Sequence, residues 1–189
     1  MTTVSVIGSG NMGRAIRALV ERGGNTVEQV TREATTVSGD IVVLAVPYPA
    51  LADIAARLGE SLAGKVVVDI TNPLDFQNFD SLVVPADSSA AQELAALLPS
   101  SAVLKAFNTN FAATLATGSI AGVVPTVLIA GDDEGAKGAL AAVVTAGGLN
   151  AVDAGALKRA RELEALGFLQ LTLAAGEKIS WTGGFSLNA

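Results

Sequence analysis

VSVIGSGNMGRAI, residues 4 to 16, sets a short apolar run, three glycines within six positions and a set of helix-favouring residues end to end. Residues 4 to 7 read as a strand. Met12, Ile16, Leu19 and Val20 then recur at helical spacing until Gly23 and Gly24 stop the helix. The turn between them, GSGNMG, fits G-x-G-x-x-G with Gly8, Gly10 and Gly13 in place. Alone that pattern says little, but here it directly follows a strand and opens an amphipathic helix. In that context Gly8 permits the sharp turn, Gly10 lets the backbone approach a pyrophosphate, and Gly13 lets helix and strand pack closely. The free N–H groups and positive dipole end of the helix complete a seat for phosphates. The alternative, a turn that binds nothing, loses weight as the same strand and helix rhythm runs on down the chain.

Working outward, the pattern predicts strands near 26 to 31, 41 to 46, 65 to 71, 102 to 107, 126 to 130 and 150 to 153. Between them lie helical patterns: Leu51, Ile54, Leu58 and Leu62 mark one, and others fall at 88 to 98, 109 to 117 and 133 to 145. A long helical pattern from 156 to 180 leads into WTGGFSLN. Strands alternating with helices predict an α/β fold, a Rossmann-type doubly wound, mostly parallel sheet with a short C-terminal helical extension. Residues 1–155 are expected to form the nucleotide-binding domain. Residues 156–189 are expected to be a C-terminal helix and tail that completes an acceptor site or makes a dimer contact. One connection is short: only REATTVSG separates Thr31 from Asp40, too few residues for a crossover with its helix. The second crossover helix is expected to be missing or reduced to a turn.

Bulk properties narrow the chemistry. Half of the 189 residues are hydrophobic, ample for a core, and the net charge of −6 with twelve scattered Lys and Arg excludes a phosphate-tracking nucleic-acid surface. There is no cysteine and no histidine, which removes thiol nucleophiles, disulfides and the commonest metal ligands and general base, so no metal site is expected. No basic and apolar leader precedes the first strand pattern, and runs such as IVVLAV at 41 to 46 are too short to cross a bilayer. A cytoplasmic location without membrane contact is the expectation. The choice between NAD and NADP falls at the end of the second strand, in EQVTRE at 28 to 33. Glu28 sits too early to bind a ribose diol, whereas Thr31 and Arg32 suit a 2′-phosphate, so NADP is the expected cofactor.

VIGSGNMGRAI, LAVPYPAL at 44 to 51, DITNPL at 69 to 74, LKAFNT at 104 to 109 and ARELEALG at 160 to 167 together resemble the NADPH-dependent deazaflavin reductase family, NADP oxidoreductase, coenzyme F-420-dependent. More distantly, the chain is similar to the reductase domains of the six-transmembrane metalloreductases. The resemblance implies a dimeric Rossmann protein passing a hydride between NADPH and a deazaflavin or flavin. It would put the pyrophosphate on Ser9, Asn11 and Met12 and the 2′-phosphate on Thr31 and Arg32. It would bring Ala45, Val46 and Pro47 against the cofactor and set the nicotinamide end near Ile70, Asn72 and Pro73, with Ala106, Asn108 and Thr109 close by. This chain departs from the family in lacking the second crossover helix and in being shorter. Other enzyme and non-enzyme readings stay open: a small imine or carbonyl reductase, or an NADP-binding sensor without turnover.

Further residues carry two readings each. Asn72 and Asn108 follow apolar strands at the ends where open α/β sheets bind ligands, and serve there either as positioning residues for nicotinamide or acceptor or as turn formers. Lys105 lies in a strand, pointing to a sheet edge or into the site. The stretch 72 to 87, with Phe76 and Phe79, is a lid or a passive loop. Arg159, Arg161, Glu162 and Glu164 could be paired surface charges at i,i+3 spacing, a reading that fits Arg159 and Glu162 best. Trp181 presents a flat ring to a planar ligand or second subunit, or anchors the core. Leu163, Leu166, Leu169, Gln170 and Leu173 form a stripe broad enough for a homodimer contact.

Overall fold

Strand β1 (Thr3–Ile7) buries four of its five residues and lies inside the sheet, with β2 (Thr26–Val30) parallel on one side and β3 (Ile41–Leu44) parallel on the other. A computed structural model of the chain describes residues 1–187. Helix α1 (Asn11–Arg22) buries Gly13, Ala15, Ile16, Leu19 and Val20, the one face that its three-to-four residue spacing creates. β4 (Val66–Asp69) and β5 (Ala102–Lys105) continue the parallel order. β6 (Thr126–Gly131) and β7 (Asn150–Gly155) complete a seven-stranded sheet, β2-β1-β3-β4-β5-β6-β7. α1, α4 (Ala112–Thr117) and α5 (Glu134–Ala146) cover one face over a core that includes Ile16, Leu19, Leu115, Leu140 and Val144. α2 (Leu51–Leu62), α3 (Ala90–Leu97) and the start of α6 (Ala160–Ala175) cover the other through Leu58, Leu62, Leu94, Leu157 and Ala160. The fold is the doubly wound α/β class.

The link from β2 to β3 has no helix, as its length required. Val37 does the helix's work by burying its side chain in the α2 core, and its N–H donates to Ser61 Oγ at 2.9 Å. Gly39 then passes so close to β1 that a Cβ would lie 2.6 Å from both the N and the Oγ of Ser5, while its own N–H donates to that hydroxyl at 2.8 Å. β2 forms one edge of the sheet among the described residues.

The sheet is mostly parallel, as expected, with one antiparallel pair, and one strand ends earlier than expected. β6 runs antiparallel to β5, pairing Leu104 with Gly131 and Lys105 with Ala130, and β7 runs parallel to β6. The connection between them, residues 106–125, contains only the short helix α4 and does not bring the chain back to the start of β5. The last residues of β6 thus lie beside the last residues of β5. β5 itself stops at Lys105 rather than near 107, because Phe107 takes a left-handed backbone (φ 61°) and turns the chain out of the sheet.

Candidate functional site

The three glycines of the first turn do three different things. Gly8 adopts φ +118° and lies against Ala45, whose carbonyl oxygen would be 2.1 Å from an added Cβ. At Gly13 an added Cβ would sit 2.3 Å from the carbonyl oxygen of Gly8. Around Gly10, by contrast, nothing lies within 4 Å of such an atom. Gly10 is also the N-cap of α1 and offers no side-chain acceptor, so the first N–H groups of the helix face open space. Arg14, one turn in, folds back so that Nη1 donates to the Ser9 carbonyl at 3.1 Å and Nη2 to Asn11 Oδ1. The turn thus offers helix N–H groups, a guanidinium and room for a charged group.

From this turn a cavity of about 690 Å³ extends along the carboxyl ends of β1, β2 and β3. That is the switch point where the chain, having gone to one side of β1, returns to the other. Gly8, Ser9 and Gly10 line it on one side, Thr31 and Arg32 on another, and Ala45, Val46 and Pro47 on a third. Helix α2 adds Ala50, Asp53, Ile54 and Arg57 together with its preceding turn. Sequence reasoning missed Arg14, Asp53 and Arg57. The first was signalled by its place one turn into the helix that follows the glycine turn; the others become visible only when α2 is laid beside β2. A second cavity, about 610 Å³ near Gly64, Ser100 and Asp132, lies at the starts of β4 and β5 and carries Asp132 and Asp133 with no basic residue, so it suits no phosphate.

The remaining expected residues are arranged differently. Asn11 and Met12 lie in the first turn of α1 and Gly13 beneath it, outside the cavity lining. Ile70, Pro73, Ala106, Asn108 and Thr109 are all buried beyond β4 and β5, and Asn72 is half-buried. Asn72 Nδ2 donates to the Asn108 carbonyl at 2.9 Å, while Asn108 Nδ2 donates to Asn72 Oδ1 at 3.0 Å and to the Leu163 carbonyl at 2.8 Å. Gly167 lets α6 settle on this clasp, since a Cβ there would be 2.3 Å from Asn72 Oδ1. Among the described residues, Asn108 Oδ1, Asn110 Oδ1 and Thr71 Oγ1 are buried without a protein partner.

Beneath the clasp lies a buried charge cluster that corrects two expectations. Lys105 points neither to a sheet edge nor into an open site: its fully buried Nζ donates to Asp69 Oδ2 at 2.8 Å and to the Thr71 carbonyl at 2.5 Å, and lies 2.8 Å from Glu164 Oε1. Glu164 is no surface charge. Its carboxylate is buried and accepts from the N–H groups of Ala90 (3.1 Å) and Ala91 (3.4 Å) at the start of α3. Burial pushes the Glu164 carboxyl above the usual range, and Lys105 and the Ala90 N–H pull it part of the way back. Nearby, Tyr48 donates to Glu93 Oε2 at 2.6 Å and is pushed up to about 12 by burial and that hydrogen bond. Arg159 and Glu162 do form the expected exposed pair, at 3.3 Å.

Strand order, glycine turn and switch-point cavity together define a Rossmann-type dinucleotide-binding protein. A family model described as NADP oxidoreductase, coenzyme F420-dependent, matches residues 15–73. An F420-dependent NADP reductase of Methanocaldococcus jannaschii is 32% identical over 149 residues, covering 77% of this chain and 66% of that protein. The metalloreductase STEAP3 of Rattus norvegicus is 30% identical over 180 residues, covering 86% of this chain and 36% of its own length. The chain therefore spans about a third of the rat protein. Among solved structures, a candidate F420-dependent NADP reductase from Arthrobacter sp. FB24 superposes with a TM-score of 0.86 at 25% identity, covering 100% of both chains. This chain belongs to the family of NADP oxidoreductases, coenzyme F420-dependent. No helix among the described residues is long and apolar enough to cross a membrane.

Proposed function

We propose that the chain binds NADPH and passes its hydride to a flavin-like or deazaflavin acceptor. The observation that carries the reading is the cavity that joins the open space above Gly10 to Thr31 and Arg32. The residues present fit the cofactor. Ser9, Asn11, Met12 and Arg14 would hold the pyrophosphate, Thr31 and Arg32 the 2′-phosphate, and Ala45, Val46 and Pro47 the sugar between them. Ile70, Asn72, Pro73, Ala106, Asn108 and Thr109 would border the nicotinamide end, with Asn72 and Asn108 as positioning residues. When bound, NADPH supplies the hydride.

Aromatic pairs support a planar acceptor at that end. Phe76 packs edge-on against Phe79 at 5.4 Å after β4, and Trp181 lies 5.1 Å from Phe111 after β5 with half of its surface exposed. Residues 1–155 serve as the NADP-binding body. Residues 156–189 complete the acceptor site or a homodimer contact, with 188 and 189 outside the described residues. A flavin or deazaflavin ring takes hydride without a protein acid, which suits a chain with no histidine, no cysteine and a Lys105 committed to buried carboxylates. A second reading, onward delivery to a metal chelate, is favoured by the likeness to the rat metalloreductase. The test is to mix the protein with NADPH and offer flavin, deazaflavin or a ferric chelate in turn. Loss of NADPH absorbance with a ring acceptor is expected. Persistence of NADPH with every acceptor would leave a binding protein without turnover.

A further inference from the structure

The cavity holds a second guanidinium that the 2′-phosphate assignment does not use. Arg57 stands on α2, half-buried, one turn beyond Asp53. Its Nη1 donates to the carbonyl of Ala34, in the helix-free link between β2 and β3. Among the described residues its other N–H groups have no protein acceptor, and it joins no ion pair with Asp53 or any other carboxylate. We propose that Arg57 is a second ligand of the 2′-phosphate, gripping from α2 the group that Arg32 meets from the link. The inference rests on the NADP-binding reading above.

Three observations carry it. The ionisable residues lining the cavity are Arg32, Arg57 and Asp53, a local excess of positive charge on a chain whose net charge is −6. A dianionic phosphate with three free oxygens can take hydrogen bonds from more than one guanidinium. The two arginines also differ in how they are held: Arg32 is exposed on an irregular segment, whereas Arg57 is half-buried on a helix and tied to Ala34. Donors fixed in advance lose less freedom on binding, so Arg57 supplies the ordered half of the grip. The missing crossover makes this possible, because the link folds directly onto α2 through Val37 and Ala34.

Calorimetric titration of the wild-type chain, Arg57→Gln and Arg57→Lys with NADPH, NADH and 2′-phosphoadenosine 5′-phosphate tests the assignment. Arg57→Gln should weaken NADPH and the phosphorylated adenosine by about tenfold and leave NADH within about twofold. Arg57→Lys, which keeps the charge and loses the fork, should fall between and serves as the readout if the Gln variant does not fold. Unchanged NADPH affinity in a folded variant overturns the inference while the NADP reading stands. Equal losses for NADPH and NADH also overturn it, leaving Arg57 as a pin for the link or a platform for the adenine. A wild-type chain that binds neither dinucleotide, or both alike, overturns the underlying reading as well.

Discussion

Gly10 and Gly13 stand three residues apart, yet a side chain would meet open space at one and a backbone carbonyl 2.3 Å away at the other. Gly10→Val should therefore give a folded chain that no longer binds NADPH, because its methyls would occupy the room that the pyrophosphate needs. Gly13→Val should fail to accumulate as folded protein. Circular dichroism paired with NADPH titration separates the two, and normal binding by Gly10→Val would reduce the loop to a turn. Arg32→Ala should lower NADPH affinity by about 1.5 to 3 kcal/mol, roughly ten- to a hundredfold, with NADH hardly affected. An equal preference for the two cofactors before and after the change would remove Arg32 from the 2′-phosphate. All three residues were legible in the sequence, since their reasons are local: a turn, a helix start and a strand end. Gly167 was not, because what demands it is Asn72, ninety-five positions earlier.

Among elements, the ends of β4, β5, α3 and α6 meet in the Asp69, Lys105 and Glu164 cluster. Lys105→Met leaves two carboxylates buried without their cation, which should cost about 3 to 5 kcal/mol and lower Tm by roughly 10 °C. A Tm within a degree or two of the wild type would mean that the cluster is dispensable. pH acts on the same cluster. A carboxyl whose folded pKa lies above its unfolded value of 4.5 keeps its proton longer in the native state. The native state then binds more protons than the unfolded one, and stability falls as pH climbs from 4.5 through the raised value. Relative to Glu164→Gln, the wild type should lose stability across that interval in urea titrations; a relative gain would contradict the direction. Nothing in the sequence marked this cluster. Lys105 read as pointing to a sheet edge or into the site, and Glu164 sat among helix charges whose spacing fits a solvated face. The reversal of β6 was equally hidden, since an apolar run looks the same in either direction.

At the scale of the whole molecule, the C-terminal third leaves apolar surface uncovered: Leu169, Trp181, Phe185 and Leu187 are each about half exposed. The proposed homodimer would bury them, so light scattering on the chain should give twice its monomer mass, and Leu169→Glu should give the monomer. A wild-type monomer at micromolar concentration would count against the contact and leave Trp181 to the acceptor site. Another property follows from where the switch-point cavity lies along the chain. Every residue lining it falls between Ile7 and Arg57, a single unbroken stretch. NADPH seated there as proposed would tie together β1, α1, β2, β3 and α2, reach the ends of β4 and β5 with its nicotinamide, and touch neither α5 nor β7, so its stabilisation should be spread unevenly. In amide hydrogen exchange, saturating NADPH should slow the strands β1 and β3 far more than β7 at the opposite edge of the sheet, giving one polypeptide two grades of rigidity set by a single small molecule.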